Sequence, residues 1–244
     1  MADKNLIRQR FKKSLKTYCS NAAVQIIMAQ KLTDMLGRNK FSSVFEVGCG
    51  AGILTEKIKE KISYKSYTAN DIVCESKHYA EKIIPDCGFI SGDIEEIETD
   101  LKFDLIISNA CLQWCSDFEK TLSKLAGMLK PEGILAFSVF SGGNISEVKT
   151  LLGVGLDYYG LDYFRQMLGR YKVILLKEET EKLYFDSPYD VLRHLKNTGV
   201  NTFSDIYFSK KKLRIFDETY RNLYAKNGKV SLTYNPVYAV LCAK

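Results

Sequence analysis

The chain is 244 residues long, 46% hydrophobic, and carries 35 basic against 29 acidic residues for a formal net charge of +6. That is material for one large domain or two small ones, and no run of eighteen apolar residues is present to serve as a spanning helix. The mild positive balance favours an anionic partner without specifying one, and seven irregularly spaced cysteines argue for reduced thiols in a cytoplasm.

The opening "MADKNLIRQRFKK" lacks the apolar segment of a secretory signal. Its Arg/Lys-rich amphipathic character also suits a matrix-targeting peptide, but Asp3 and its continuity with a patterned helix speak for a place in the fold. Ile7, Phe11, Leu15, Tyr18 and Ala22 recur at the helical period, with Arg8, Arg10, Lys12, Lys13 and Lys16 on the other faces. A second helical run, "AAVQIIMAQKLTDML", ends near Gly37, a suitable C-cap. From there strand and helix alternate. "SSVFEVG" is a strand, "GILTEKIKEKI" a helix, "YKSYTAND" a strand, "ESKHYAEKII" a helix, and "GFISGD" a short strand. "FDLIISNA" is the continuous apolar run of a buried parallel strand. "DFEKTLSKLAGMLK" is a helix that Pro131 and Gly133 should stop, and "GILAFSVF" is the next strand. This order predicts a doubly wound, mostly parallel α/β sheet.

After residue 141 the pattern changes. "NISEVKTLLGVGLDYYG" and "LDYFRQMLG" read as helices, "YKVILLKEETEKLYF" as strand, turn, strand, and "SPYDVLRHLKNTG" as a Ser-capped, Pro-initiated helix. "LRIFDETYRNLYAKNG" is helical. "SLTYNPVYAVLCAK" closes the chain as a strand interrupted at Pro236, which suits an edge or a bulge. We expect one domain over 1–244, with N-terminal helices to 40, a nucleoside-binding core over 41–141, a cap over 142–215, and a C-terminal helix and closing strand over 216–244.

The densest stretch is "VFEVGCGAGIL", residues 44–54, where an apolar strand turns into a helix through Gly48, Gly50 and Gly52 with Glu46 just ahead. Glycines there let the backbone approach a ligand and adopt φ > 0, while helix-initial N–H groups point at an acceptor. Position 53 is Ile53 and not a further glycine, so the turn lacks the pyrophosphate fingerprint. Asp71, with Ile72 after it, ends the second strand, where an acid accepts hydrogen bonds from both ribose hydroxyls; it also fits a helix N-cap. Asp93, followed by Ile94, ends the third strand and suits the amino edge of adenine, or simply a turn. Asn109 and Gln113 lie just beyond the fourth strand, at the mouth of the same site, with Trp114 beside them. Together these outline a site for a nucleoside without phosphates. Cys111 and Cys115, with only His78 and His194 elsewhere, make poor metal-ligand arithmetic, so no metal is expected. The basic stretches at Lys4 to Lys16 and "SKKKLR", 209–214, lack the aromatic interleaving of a nucleic-acid platform.

"EVGCGAG" resembles the first motif of the class I methyltransferases that use S-adenosylmethionine. Beyond it, "RFKKSLKTYCSNAAVQ", "DLIISNACLQWCSD", "LKPEGILAFSVF", "VLRHLKNTGVN" and "LTYNPVYAV" are similar to the malonyl-[acyl-carrier-protein] O-methyltransferases of biotin synthesis (BioC type), over nearly the whole chain. The combination of "RHLKNTGVN" with the N-terminal "RF…TY…VQ" discriminates best. Glu46, Val47 and Ala51 depart from the family's more frequent aspartate, leucine and threonine, and "FSVFSGGNISEV" lacks a common Gly-Pro pair. The resemblance implies a Rossmann-like seven-stranded sheet whose last strand is antiparallel, with a helical cap. It also implies S-adenosyl-L-methionine as cofactor, S-adenosyl-L-homocysteine as product, and the free carboxyl of a malonyl thioester on a small acidic carrier protein as acceptor. Neither nucleic acid nor membrane is an expected partner. "SNACLQW" is also similar to trans-aconitate methyltransferases, which implies a small free carboxylic acid as the alternative acceptor. Assembly factors of mitochondrial complex I share parts of the pattern as non-methylating relatives.

A carboxylate is ionised at neutral pH and needs no general base to attack a sulfonium methyl, so the expected substrate-side residues are positioning groups. Arg193 suits the free carboxylate, guanidinium pairing bidentately, though a surface ion pair explains it equally. His194 suits a donor to the thioester carbonyl or a structural histidine, and Tyr18 a lid over the cofactor or a core aromatic. The basic N-terminal helix and "KKKLR" would steer an anionic carrier.

Overall fold

A computed structural model describes residues 3–153, 158–198 and 209–243. Asp3 turns out to be the N-cap of the first helix, its carboxylate accepting from the Asn5 and Leu6 amides. Helices α1 (Lys4–Asn21) and α2 (Ala23–Asp34) meet at Ala22 and precede the sheet. The alternating core follows as β1 (Ser43–Val47), α3 (Ile53–Lys61), β2 (Ser66–Asp71), α4 (Ser76–Ile83), β3 (Gly88–Ser91), β4 (Phe103–Asn109), α5 (Phe118–Gly127) and β5 (Leu129–Phe140). Beyond it lie α6 (Ser146–Leu152), α7 (Leu161–Leu168), β6 (Lys172–Glu178), β7 (Glu181–Phe185), α8 (Pro188–Asn197), α9 (Lys210–Tyr224), β8 (Ala225–Lys226), β9 (Lys229–Tyr234) and β10 (Pro236–Cys242).

Seven strands form the main sheet in the order β3-β2-β1-β4-β5-β10-β6, with β10 antiparallel to both of its neighbours. This is the Rossmann-like, seven-stranded arrangement with one antiparallel strand that the sequence resemblance implies. The strands are buried on both faces because their apolar residues run without a polar alternate. Val44, Leu105, Ile107 and Tyr238 pack on one side, and Phe45, Ile106, Phe137 and Val237 on the other. Strand order reverses between β1 and β4, so the carboxyl ends of those two strands open a crevice where ligands of such sheets bind.

Four local expectations need correction. Pro131 and Gly133 do not stop α5, which ends at Gly127; they lie inside β5. Register between β4 and β5 slips there, and Glu132 takes φ +59°, so the proline occupies a bulge that needs no ladder N–H. The helix expected over "NISEVKTLLGVGLDYYG" is confined to α6, because Gly153 ends it at φ +64°; residues 154–157 of that stretch lie outside the described residues, and Tyr158 to Gly160 are not helical. Pro236 is neither at an edge nor in a bulge. It is the first residue of β10, an interior strand, and the break before it marks the chain's passage from one sheet to another. The cap is not wholly helical either: β7, β9 and β8 form a second, three-stranded sheet, while β6 belongs to the main one.

Candidate functional site

A cavity lies over the carboxyl ends of β1 to β4; the space between its atoms, open solvent at the mouth included, is about 930 Å³. Its floor is the turn after β1. Gly48, Gly50 and Gly52 all have positive φ (+74°, +52° and +89°), but they serve different ends. A Cβ at Gly48 would sit 2.2 Å from the Cys111 Sγ, so the glycine lets the loop after β4 close against the turn. A Cβ at Gly50 would meet nothing within 4 Å, leaving the cavity floor open. Gly52 does not line the cavity; a Cβ there would lie 2.3 Å from Ile83 Cδ1, so it lets α3 begin against α4.

Asp71 is buried at the end of β2, its Oδ2 accepting from the Gly50 amide at 2.7 Å and its Oδ1 from the Val73 amide at 2.8 Å. Burial raises its pKa to about 6, with the amides of Val73 and Gly50 pulling the other way. Ile72 and Ile94 provide apolar walls beside it. Asp93 also lines the cavity; its Oδ1 accepts from the Glu95 amide at 3.0 Å and its Oδ2 pairs with the Lys4 ammonium at 3.0 Å. Asn109 lines the far side with both ends of its amide engaged, Nδ2 donating to the Gln25 carbonyl and Oδ1 accepting from the Ser138 hydroxyl. The next residue, Ala110, has φ +51°, a strained turn that aims the following loop at the cavity.

Tyr18 lines the cavity from α1, and burial pushes its phenol pKa well up. Glu46 does not line it. Its carboxyl is fully buried beneath the glycine turn, Oε2 accepting from the Thr55 and Tyr67 hydroxyls while Oε1 has no partner. Burial raises its pKa to about 7, against those two hydroxyls. Gln113 is turned away too, Nε2 donating to the Ala110 carbonyl. Arg193 stands on the outer side of α8, 70% exposed, with its guanidinium 3.0 Å from Asp190. His194, on the inner side of the same helix, is buried; its Nε2 lies 2.8 Å from the Tyr234 hydroxyl, and burial depresses its pKa to about 4. Arg193 and His194 therefore do not meet at the cavity in this conformation, and Gly199 to Asn201 of "RHLKNTGVN" lie outside the described residues.

Sequence reasoning did not foresee that the apolar stripe of α1 would be a wall of the site. Ile7, Phe11 and Leu15 face the cavity, and Phe11 meets Trp114 edge to face at 5.5 Å. The stripe itself was legible; that it covers a ligand space and not a core was not. Three thiols, Cys49, Cys111 and Cys115, also face the cavity. Burial pushes all three pKa values up, Cys115 to about 12, so they stay protonated and poorly nucleophilic.

A family profile described as a methyltransferase domain matches residues 45–137. The malonyl-[acyl-carrier protein] O-methyltransferase of Chlorobium luteolum is 38% identical, over 99% of this chain and 96% of its own. The enzyme of that name from Calditerrivibrio nitroreducens is also 38% identical, over 96% of this chain and 95% of its own. Among solved structures, the plantazolicin methyltransferase BpumL in complex with SAH superposes with a TM-score of 0.56 at 17% identity, covering 99% of this chain and 95% of that one.

Proposed function

The chain belongs to the malonyl-[acyl-carrier protein] O-methyltransferases, and from that premise we propose that it methyl-esterifies the free carboxyl of a malonyl group carried on acyl carrier protein, the opening step of biotin synthesis. It is an S-adenosylmethionine-dependent methyltransferase. One observation carries the chemistry: among the described residues the cavity wall offers no histidine, its two carboxylates are committed to backbone amides and Lys4, and its thiols are held protonated. A wall of that kind suits an acceptor that arrives already ionised.

The residues present fit the cofactor. The open floor at Gly50 and the Asp71 carboxylate bonded to its amide suit the ribose end of the cofactor, and Asp93, with Ile72 and Ile94 in the same lining, suits its adenine. When bound, the cofactor supplies an electrophilic methyl on a sulfonium. The protein's work is then placement: Asn109 and the Ala110 turn fix the loop that faces the acceptor, and α1 excludes water. Holding two reactants in line contributes up to about 7–11 kcal/mol. Ile7, Phe11 and Leu15 add a low-dielectric lining, which favours a reaction that turns a cation and an anion into two neutral products.

Tyr18, which lines the cavity, is proposed to face the acceptor, while His194, paired with Tyr234, is proposed to serve structure. Arg193 is proposed to receive the malonyl carboxylate, since its tie to Asp190 is an exposed pair that costs little to exchange. The carrier's acidity is proposed to meet exposed Arg8, Lys13 and Lys16 on the outer face of α1. All seven cysteines are free, which supports our proposal that the reaction runs in the reducing cytoplasm. Methyl transfer to malonyl carrier protein, malonyl-CoA and trans-aconitate, assayed side by side, tests the reading. A methyl ester on the carrier-bound malonyl group is expected; turnover confined to trans-aconitate would overturn it.

A further inference from the structure

Lys4 occupies the first turn of α1, where a cation opposes the helix dipole and needs a reason to stay. Its ammonium meets two carboxylates at once, 3.0 Å from Asp93, which lines the cavity, and in contact with Glu95. Side-chain exposures of 28%, 15% and 17% make this a half-buried trio, less screened than the Lys12–Glu75 pair further along α1, at 58% and 43%. Glu95 is itself a junction. Its carboxylate accepts from the Ser116 amide at 2.8 Å and the Asp117 amide at 2.9 Å, at the start of α5, and its carbonyl accepts from Lys124. One ammonium therefore joins α1, the turn after β3 and the segment that follows Trp114.

We propose that Lys4 is a positioning residue that fastens α1 over the bound cofactor by tying Asp93, at the nucleoside end, to the loop at the acceptor end. This rests on the cofactor half of the reading above and not on the identity of the acceptor. Ile7, Phe11, Leu15 and Tyr18 wall the cavity along the length of α1, so that helix covers one side of the space a ligand of nucleoside size would fill. Without Lys4, Asp93 and Glu95 lose the ammonium they share, and the first turn of α1 loses its charge-assisted tie to the turn after β3.

The chain carries its own reporter. Trp114 is the single tryptophan, lines the cavity, and has its ring against Phe11 of α1. Acrylamide quenching of its fluorescence therefore reads whether α1 is down. The full-length protein is compared with Lys4→Met, Lys4→Gln, Lys4→Arg and, as a control on the exposed face, Lys13→Met, using S-adenosyl-L-homocysteine as the ligand. Loss of a charge-assisted contact predicts release of that ligand from Lys4→Met about tenfold faster. Trp114 should be more readily quenched in Lys4→Met with and without ligand. Lys4→Gln, which keeps a donor but not the charge, should fall between Lys4→Met and Lys4→Arg, and Lys4→Arg and Lys13→Met should match the parent. Unchanged release and quenching in Lys4→Met would overturn the proposal, as would slower release, which would make Lys4 a competitor of the nucleoside for Asp93. The quenching arm needs no ligand, so it decides the matter even for a variant that binds weakly. Failure to methylate any acceptor, with this pattern intact, counts against the acceptor reading alone.

Discussion

At the ends of β1 to β3 the cavity is built from backbone. Gly50 donates to Asp71 across 21 positions and Glu95 to Asp93 across 2. In the cap, buried polar side chains are matched over much longer intervals. His194 meets Tyr234 across 40 positions, Thr233 donates to Glu147 across 86, and the Asn235 amide reaches Asn144 across 91. The first region is specified by turn chemistry that any chain with those glycines and acids reproduces. The second exists only when several distant segments have already arrived. The two regions should therefore fail differently.

The sharpest break between them is Gly48→Val. A side chain there meets the Cys111 Sγ and forces φ +74° on a β-branched residue. The strain alone is about 1–2 kcal/mol, and with the collision S-adenosyl-L-homocysteine affinity should fall by about two orders of magnitude. Calorimetric titration checks this, and parent-like affinity would mean that the backbone turn does not set the cofactor end.

Next in size is a difference of sign with pH. Glu46 has a folded pKa raised to about 7, so below that pH the folded state holds a proton that the unfolded chain gives up near 4.5. Stability on its account is lost as pH rises from about 4.5 to 7, a swing of order 3 kcal/mol at about 1.4 kcal/mol per tenfold change in proton affinity. Glu46→Gln removes this dependence, so its melting temperature should gain on the parent between pH 5 and 8. His194 runs the other way. Its folded pKa is depressed to about 4, so stability is lost as pH falls from the ordinary 6.5 toward 4. His194→Gln should flatten the acid limb and leave the alkaline one alone.

A smaller effect is expected from Tyr234→Phe, which strips the buried His194 of its partner. It should cost about 1–2 kcal/mol by urea titration while leaving cofactor affinity intact. Arg193→Ala should change stability by less than about 0.5 kcal/mol, because its pair with Asp190 is exposed. A raised KM for malonyl carrier protein with kcat unchanged would support its proposed part, and an unchanged KM would remove it.

The same contrast explains what was legible. Strand and helix order through β5, and the placing of Gly48, Gly50, Asp71 and Asp93 at one cavity, follow from local periodicity and turn residues. Glu46 stands in the same motif, yet its side chain faces Thr55 and Tyr67, since neither spacing nor residue type tells which side of a fully buried strand meets the ligand. Arg193 and His194 are neighbours in sequence and on opposite sides of α8, which a helical wheel gives but a motif does not. Lys4 looked like one basic residue among many. Only the fold brings Asp93 and Glu95 beneath it.

The passage of the chain between sheets at Asn235 and Pro236 bears on how the protein is made. β10 fills the gap between β5 and β6, and β9, just before it, completes the second sheet. While residues 236–242 are still within the ribosome, β5 has an open edge and β6 has no neighbour to hold it. Growing chains fold from the N-terminus as they emerge, so the cofactor turn can form early, whereas β6 joins the sheet only when β10 slides in. Until then two unpaired strand edges are exposed. Folding of this chain should lean on chaperones until β10 docks, and a chain cut just before β10 should display that dependence most plainly.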